Sequence, residues 1–198
     1  MPTSHYVHIF RRRREGKTDY RKRKGIILGK TAFVSVHISG RYIYSQILKP
    51  TPTGDTTVAS ASSRDLIKKF GWKGSTKNLP GAYLTGFYLG RQAAEKNLKQ
   101  AIVYSGVGRF VHGSRIASLI NGAKDAGLDI QISDESLPDE DRISGKHIAD
   151  YSQKLEKENQ EKRKQLFSKV LSSGLNPSEY PVHFESVKAK IESDGNDS

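Results

Sequence analysis

The chain has 198 residues and carries 33 Lys and Arg against 21 Asp and Glu, a formal net charge of +12. It has no cysteine, which excludes disulfides, zinc ribbons and thiol catalysis together. No apolar run approaches a membrane span and Met1-Pro2-Thr3-Ser4 leads into no signal-peptide core, so a soluble intracellular protein is expected. The length suits one domain of about 100–150 residues with extensions. Charge divides the chain: residues 1–30 carry a net +8, residues 31–133 another +8, and residues 134–198 a net −4. Apolar residues concentrate between Ile26 and Ile132. The expected organisation is a basic arm over 1–30, an α/β core over 31–133 and a charged helical extension over 134–198.

The arm runs from Phe10 to Lys24 and holds Arg11, Arg12, Arg13, Arg14, Lys17, Tyr20, Arg21, Lys22, Arg23 and Lys24. It has little apolar surface to bury, so it cannot fold by itself. Arginine forks bind phosphate oxygens bidentately, and each neutralised phosphate releases counterions. Tyr20 among these charges suits base stacking. A solvated tail, a nuclear-localisation patch and a membrane-surface patch are the competing readings. Membrane binding usually requires an amphipathic apolar face or a lipid anchor, and the arm shows neither.

From Thr31 the chain is rich in β-branched residues, with Ala32, Val34, Val36 and Ile38 on one face of a strand. Ser39-Gly40 turns it into a returning strand, Arg41 to Leu48, and Thr56 to Ala61 forms a third, completing an antiparallel meander. Arg41 and Tyr42 near that first turn are candidate RNA contacts. Ser62 or Ser63 caps a helix through Phe70 that Gly71 stops.

The loop Trp72 to Pro80 breaks the pattern. Trp72 either packs over the core or joins Lys73, Lys77 and Asn78 as a second RNA contact. The loop lacks the Gly-Lys-Ser/Thr ending of a phosphate-binding P-loop. Gly81 to Asn97 reads as a buried helix lying close on a sheet, with Gly86 and Gly90 marking the approach. Ala101 to Tyr104 reads as a central parallel strand covered on both faces. The glycine-rich loop Ser105 to Arg115 then opens onto a helix, Ile116 to Ala126, ended by Gly127. Gly113 comes too late for a dinucleotide fingerprint, so Arg109 and Arg115 are assigned to RNA. Leu128 to Ile132 is expected as the last strand, giving a mixed α/β sheet with helices packed on it.

Beyond Ser133, the acidic cluster Asp134 to Asp141 has no histidine at ligand spacing and reads as a helix-start loop rather than a metal site. A helix from Ile143 carries Ile148, Tyr151 and Leu155 on one stripe, then loses apolar content from Glu156 to Gln165 and should project from the domain or order on a partner. Pro177 and Pro181 punctuate a last short helix, Val182 to Ile191, before a polar, disordered end.

The basic arm, Gly71-Trp72-Lys73-Gly74-Ser75, Ala82-Tyr83-Leu84-Thr85-Gly86, Gly122-Ala123-Lys124-Asp125-Ala126-Gly127-Leu128, and Leu137-Pro138-Asp139-Glu140-Asp141-Arg142 through His147-Ile148-Ala149-Asp150-Tyr151 occur in one order. In this the chain resembles the L-eighteen family of large-subunit ribosomal proteins, in its archaeal and eukaryotic form, over roughly residues 6–155. The resemblance implies a ribonuclease-H-like mixed sheet and no catalysis, metal or cofactor. It also implies binding to 5S ribosomal RNA, which is joined to the large-subunit ribosomal RNA at the central protuberance of the cytoplasmic ribosome. The implied neighbours are the L-five family protein and other central-protuberance proteins, with no membrane and no small-molecule substrate. Tyr104-Ser105-Gly106-Val107 departs from the family's usual Asp-Ile-Gly-Leu.

Two other readings fit the charge. A nuclease on such a sheet needs carboxylates clustered at strand ends to hold magnesium, and Thr31 to Ala61 contain only Asp55, in a turn. His37 and His112 lack the serine or carboxylate pattern of a catalytic base. A non-specific DNA-binding protein would not require a buried α/β core.

Overall fold

The structure, a computed structural model, describes residues 8–194. Met1 to Ser4 and the extreme polar end, both read above from the sequence, lie outside the described residues. Two short helices, α1 (Arg11–Arg14) and α2 (Tyr20–Gly29), precede the strands β1 (Phe33–Ile38), β2 (Ile43–Lys49) and β3 (Thr56–Ser62). There follow α3 (Ser63–Phe70), α4 (Leu79–Glu95), β4 (Ile102–Tyr104) and α5 (Arg115–Asp125). The carboxyl-terminal part holds α6 (Glu140–Ile143), α7 (Lys146–Glu158), α8 (Gln160–Leu166), α9 (Ser168–Ser172) and α10 (Tyr180–Asp194).

The meander forms as expected: β1 pairs antiparallel with β2, and β2 with β3. Its first turn closes through Ser39 N–H to the Tyr42 carbonyl (2.9 Å). The β4 strand adds parallel to β1, giving the order β3-β2-β1-β4. That is the mixed α/β sheet the resemblance implies. Two expectations change. First, β4 is an edge strand of the sheet, and its Ile102 is exposed. Second, Leu128 to Ile132 forms no strand but only an isolated bridge between Gln100 and Asp129. Leu128 and Ile130 are buried, so the alternation of this segment records burial of one face and not a hydrogen-bonded ladder.

On one face of the sheet Val34, Ile43, Ser45, Ile47, Ala59 and Ala61 are buried, while Val36 and Ile38 toward the end of β1 are partly buried. On this side β2 and β3 pack against α4, whose residues 79–90 are all buried. The helix starts at Leu79, earlier than expected, because Asn78 caps it: its Oδ1 accepts from Gly81 N–H (3.0 Å), and Pro80 occupies the first turn. Gly86 and Gly90 face α5 rather than the sheet. A Cβ on Gly86 would collide with the Leu119 carbonyl, one on Gly90 with Ala123 and Ala126, and one on Gly122 with the Tyr83 carbonyl. The backbones of α4 and α5 therefore touch, which offsets the helix-propensity cost of about 1 kcal/mol per glycine.

The carboxyl-terminal chain returns to the core through α10, and the charged run, which buries no residue in α8, folds back on α7 instead of projecting as one continuous helix. Asn159 (φ −160°, ψ 94°) ends α7 and caps α8 by accepting from Lys162 N–H (3.0 Å). Arg163 then ties α8 back: its Nε donates to Ser152 Oγ (3.0 Å) and a terminal nitrogen to Asn176 Oδ1 (2.9 Å). Pro181 does not break α10; it fills the first turn of a helix that starts at Tyr180 and buries Tyr180, Phe184, Val187 and Ile191.

The join between tail and core is an aromatic knot. Trp72 stacks on His183 (5.1 Å, 12°) and meets Tyr180 edge-on (5.5 Å, 88°). Tyr180 Oη accepts from Asn78 Nδ2 (2.6 Å) and Ser75 N–H (3.2 Å), and Lys73 N–H donates to His183 Nε2 (3.0 Å). Burial pushes the Tyr180 phenol up to about 12 against the opposing pull of those hydrogen bonds. Burial, reinforced by the charges of Lys73 and Lys190, holds His183 below its ordinary value. Gly74 leaves no room for a Cβ between Trp72 and the Tyr180 hydroxyl.

Gly122→Ala is expected to lower stability by about 1–3 kcal/mol through overpacking. Gly25→Ala, with open space around it, should cost nothing and gain up to about 1 kcal/mol of helix propensity; denaturant melts compare the two. Because the folded chain prefers neutral His183, the stability from this contact is complete above pH ~6.5 and falls as pH drops below that value, where the unfolded chain takes up the proton. Melts at about pH 7.5 and about pH 5.5 should show this loss, and His183→Gln should shrink the difference.

Candidate nucleic-acid interface

The four consecutive arginines form the single helical turn of α1. Four residues on a helix point their side chains around the full circle, so the guanidiniums fan out. All four are exposed. Within this segment Arg11 pairs with Glu15 (3.5 Å), Lys17 with Glu15 (2.9 Å), and Arg12 Nε donates to Thr18 Oγ1 (2.8 Å). Gly16, at φ +64°, turns the chain after α1, and Asp19 then caps α2 by accepting from Arg21 and Lys22 N–H. The Tyr20 ring packs against Phe10 (4.9 Å). The side chains of Arg13, Arg14, Arg21 and Lys24 are exposed and make no hydrogen bond or ion pair among the described residues.

Two basic residues of α2 work inward. Arg23 grips Asp55 with both terminal nitrogens (2.6 and 2.5 Å) and donates to the Thr51 carbonyl (3.3 Å). Hydrogen bonding to Asp55 is the main reason its guanidinium is raised above the usual value. Lys22 Nζ donates to the Gly106 carbonyl (3.1 Å). With Ile26 buried, these contacts fasten α2 to the loop after β2 and to the loop after β4. Arg23, expected among the outward cations, is thus a latch; no signal in the sequence pairs it with Asp55, a residue 32 positions away.

The sheet face opposite α4 remains partly open. Phe33 is covered, with the Tyr104 ring edge-on to it (5.3 Å), and Ile26 lines one crevice with Ile102 and Tyr104. Farther along the same face His37, Tyr44 and Gln46 are exposed, with the His37 and Tyr44 rings parallel-stacked at 6.4 Å. Tyr44 shows 42% of its surface. Sequence alone assigns none of the three to RNA and weighs His37 only as a catalytic base, although the period-two spacing of Tyr44 and Gln46 against the buried Ile43, Ser45 and Ile47 marks the outer face.

The loop after α3 divides its residues. Trp72 is only 2% exposed and has its ring faces against His183 and the core, so it offers no platform to a base. Asn78 spends both amide atoms on the α4 cap and on Tyr180. Of the two readings of Trp72 the structure has the core packing and not the RNA contact, and Asn78, expected to face RNA, is claimed by packing as well. Lys73 and Lys77 stay at the surface and come together with Arg41 and Tyr42 around a shared groove. Arg109 is exposed with no partner among the described residues. Arg115 is half-buried and directs a terminal nitrogen at the Lys77 carbonyl (3.5 Å).

The acidic loop pairs outward, Asp134 with Lys124 (3.1 Å) and Asp141 with Lys146 (3.2 Å). Among the described residues no cluster of three His, Asp or Glu is placed to hold a metal, and no helix is long and apolar enough to cross a membrane. Asp55, beside the open sheet, is paired with Arg23.

Residues 4–105 match the family described as ribosomal large subunit proteins 60S L5 and 50S L18. The chain is 50% identical to the large ribosomal subunit protein uL18 of Sulfurisphaera tokodaii over 94% of each chain. It is 46% identical to that of Caldivirga maquilingensis over 94% of this chain and 90% of the relative. For Saccharolobus solfataricus the identity is 45%, over 93% and 92%.

Removing the latch should loosen α2 alone. In Asp55→Ala, amide exchange protection of residues 20–29 should fall while that of α4 is unchanged, with a global cost of about 1 kcal/mol or less. Unchanged protection in α2 would show that Ile26 and Lys22 suffice to hold it.

Proposed function

The chain belongs to the family of large-subunit ribosomal proteins described as 60S L5 and 50S L18, structural constituents of the cytoplasmic ribosome and not enzymes, and from that premise we propose that it binds 5S ribosomal RNA. Its arm and the open face of its sheet are the contact surface. In this role it attaches 5S RNA to the large-subunit ribosomal RNA at the central protuberance, beside the L-five family protein.

One observation carries the reading: exposed cations, including Arg13 and Arg14 of α1 and Arg21 and Lys24 of the latched α2 with no partner among the described residues, stand next to an uncovered sheet face that shows Tyr44, His37 and Gln46. The two parts divide the work. Arg11, Arg12, Arg13, Arg14, Lys17, Arg21 and Lys24 meet phosphates, which supplies affinity and register but no sequence reading. Tyr44 supports stacking, and Gln46 and His37 supply hydrogen bonds to bases or 2′-hydroxyls of unstacked or shallow-groove RNA. Arg23 contributes by holding α2 in place. Recognition therefore follows the shape of a folded RNA across a rigid platform.

An arm that neutralises about six phosphates gives a log-log salt slope near −4 to −5. Replacing Arg11, Arg12, Arg13 and Arg14 by alanine should reduce the magnitude of that slope by about 3 and leave the melting transition intact. In competition at fixed salt, unlabelled transfer RNA and duplex DNA should displace labelled 5S RNA at least about a hundredfold less well than 5S RNA itself. Equal displacement by all three would reduce the arm to a generic polycation and contradict the assignment.

A further inference from the structure

The groove between the β1–β2 turn, the loop after α3 and α9 is lined by Arg41, Lys73, Lys77 and Lys169 and has a volume of about 690 Å³. Three backbone-directed bonds fix its walls: Thr76 Oγ1 donates to the Arg41 carbonyl (2.8 Å), Lys77 Nζ to the Gly40 carbonyl (3.0 Å), and Ser173 Oγ to the Lys73 carbonyl (2.8 Å). None of its lining residues is acidic, and none of the four cations forms an ion pair among the described residues. Such a concentration of unpaired like charge is electrostatically unfavourable in the free protein. A bound polyanion relieves it.

We infer that this groove is a second RNA site, which takes a sugar-phosphate strand other than the one held by the arm. The inference rests on the RNA-binding reading above. Position separates the two sites: the Arg23–Asp55 latch of α2 sits where β1 begins, whereas Arg41 and Tyr42 follow its far end, about 17 Å away for five steps of 3.3 Å. Composition favours nucleic acid over an acidic peptide. Tyr42 and the exposed Ile67 place a ring and an apolar surface beside the cations, a combination that suits ribose and base as well as phosphate. Lys169 completes the set, and it reaches the groove because the tail folds back through the Trp72–Tyr180–His183 knot. The molecule thereby holds two RNA segments at once.

The test uses the full chain saturated with unlabelled 5S ribosomal RNA, its binding verified first by titration, and a labelled oligouridylate as probe. The saturated wild-type chain should still bind the probe. Lys73→Ala with Lys169→Ala should weaken probe binding about tenfold, with a salt slope smaller by about 1.4 for two lost phosphate contacts on a single strand, while 5S RNA affinity stays within about twofold. Lys169→Arg, which keeps the charge, should retain the probe. Failure of the saturated wild-type chain to bind the probe, or equal binding by the double variant, overturns the groove site and leaves the arm reading standing. Tighter binding of polyglutamate than of oligouridylate overturns the RNA assignment of the groove. Absence of 5S RNA binding at the start sinks the arm reading and the groove with it.

Discussion

Everything in this molecule hangs on the direct backbone contact between α4 and α5. Gly86 and Gly90 on one helix and Gly122 on the other let carbonyls approach where any Cβ would collide. That approach brings Leu119, Ile120 and Ala123 onto α4, whose other side meets the buried face of the sheet. A helix with apolar residues around most of its circumference is stable only when it is enclosed. Here the sheet, α5 and α10 enclose it.

From that packed centre the structure fixes its charged parts by a few specific bonds. Arg23 and Asp55 pin α2, and the Tyr180 hydroxyl draws Asn78 and Ser75 onto α10. In both places a residue with obvious surface chemistry is used inwardly. Among the described residues, cations left without such a bond include Arg13, Arg14, Arg21 and Lys24 of the arm and Arg41, Lys73 and Lys169 of the groove beside Trp72. Each such contact holds its segment against the core, which gives the outward cations of α2 a defined mounting. A rigid mounting matters because phosphate contacts set register only when the cations are held in place.

Much of the core was legible in the sequence. The period-two pattern from Ala32 to Ile38, the turn at Ser39-Gly40, the cap at Ser62 and the stop at Gly71 all act locally, and local signals survive in one dimension. The glycine pair on α4 announced a close approach but not its partner, since spacing on one helix cannot say whether a sheet or a helix lies opposite. The misreadings share a cause. The alternation of Leu128 to Ile132 signals burial and is silent on pairing, the charged run after Glu156 is silent on Arg163 reaching back to Ser152, and Trp72 in a polar loop is silent on Tyr180 more than a hundred residues later. At the candidate interface the free cations of the arm were legible from charge alone. Arg23 and Asn78 were not, because their partners come from distant segments. Tyr44 and His37 were available from strand alternation, once the outer face is asked what it shows as well as the inner.

An architecture of this kind needs no catalytic centre. On the proposed reading, a folded platform with cations at two places and an aromatic, polar sheet face matches an RNA surface by shape and charge. The most direct measurement is photocrosslinking within the assembled large ribosomal subunit, followed by identification of the crosslinked peptides and nucleotides. Peptides spanning Arg11 to Lys24 and the peptide containing Tyr44 should carry 5S RNA nucleotides. Crosslinks absent from both, with 5S RNA attached instead to the acidic loop Asp134 to Asp141, would contradict the placement of the interface.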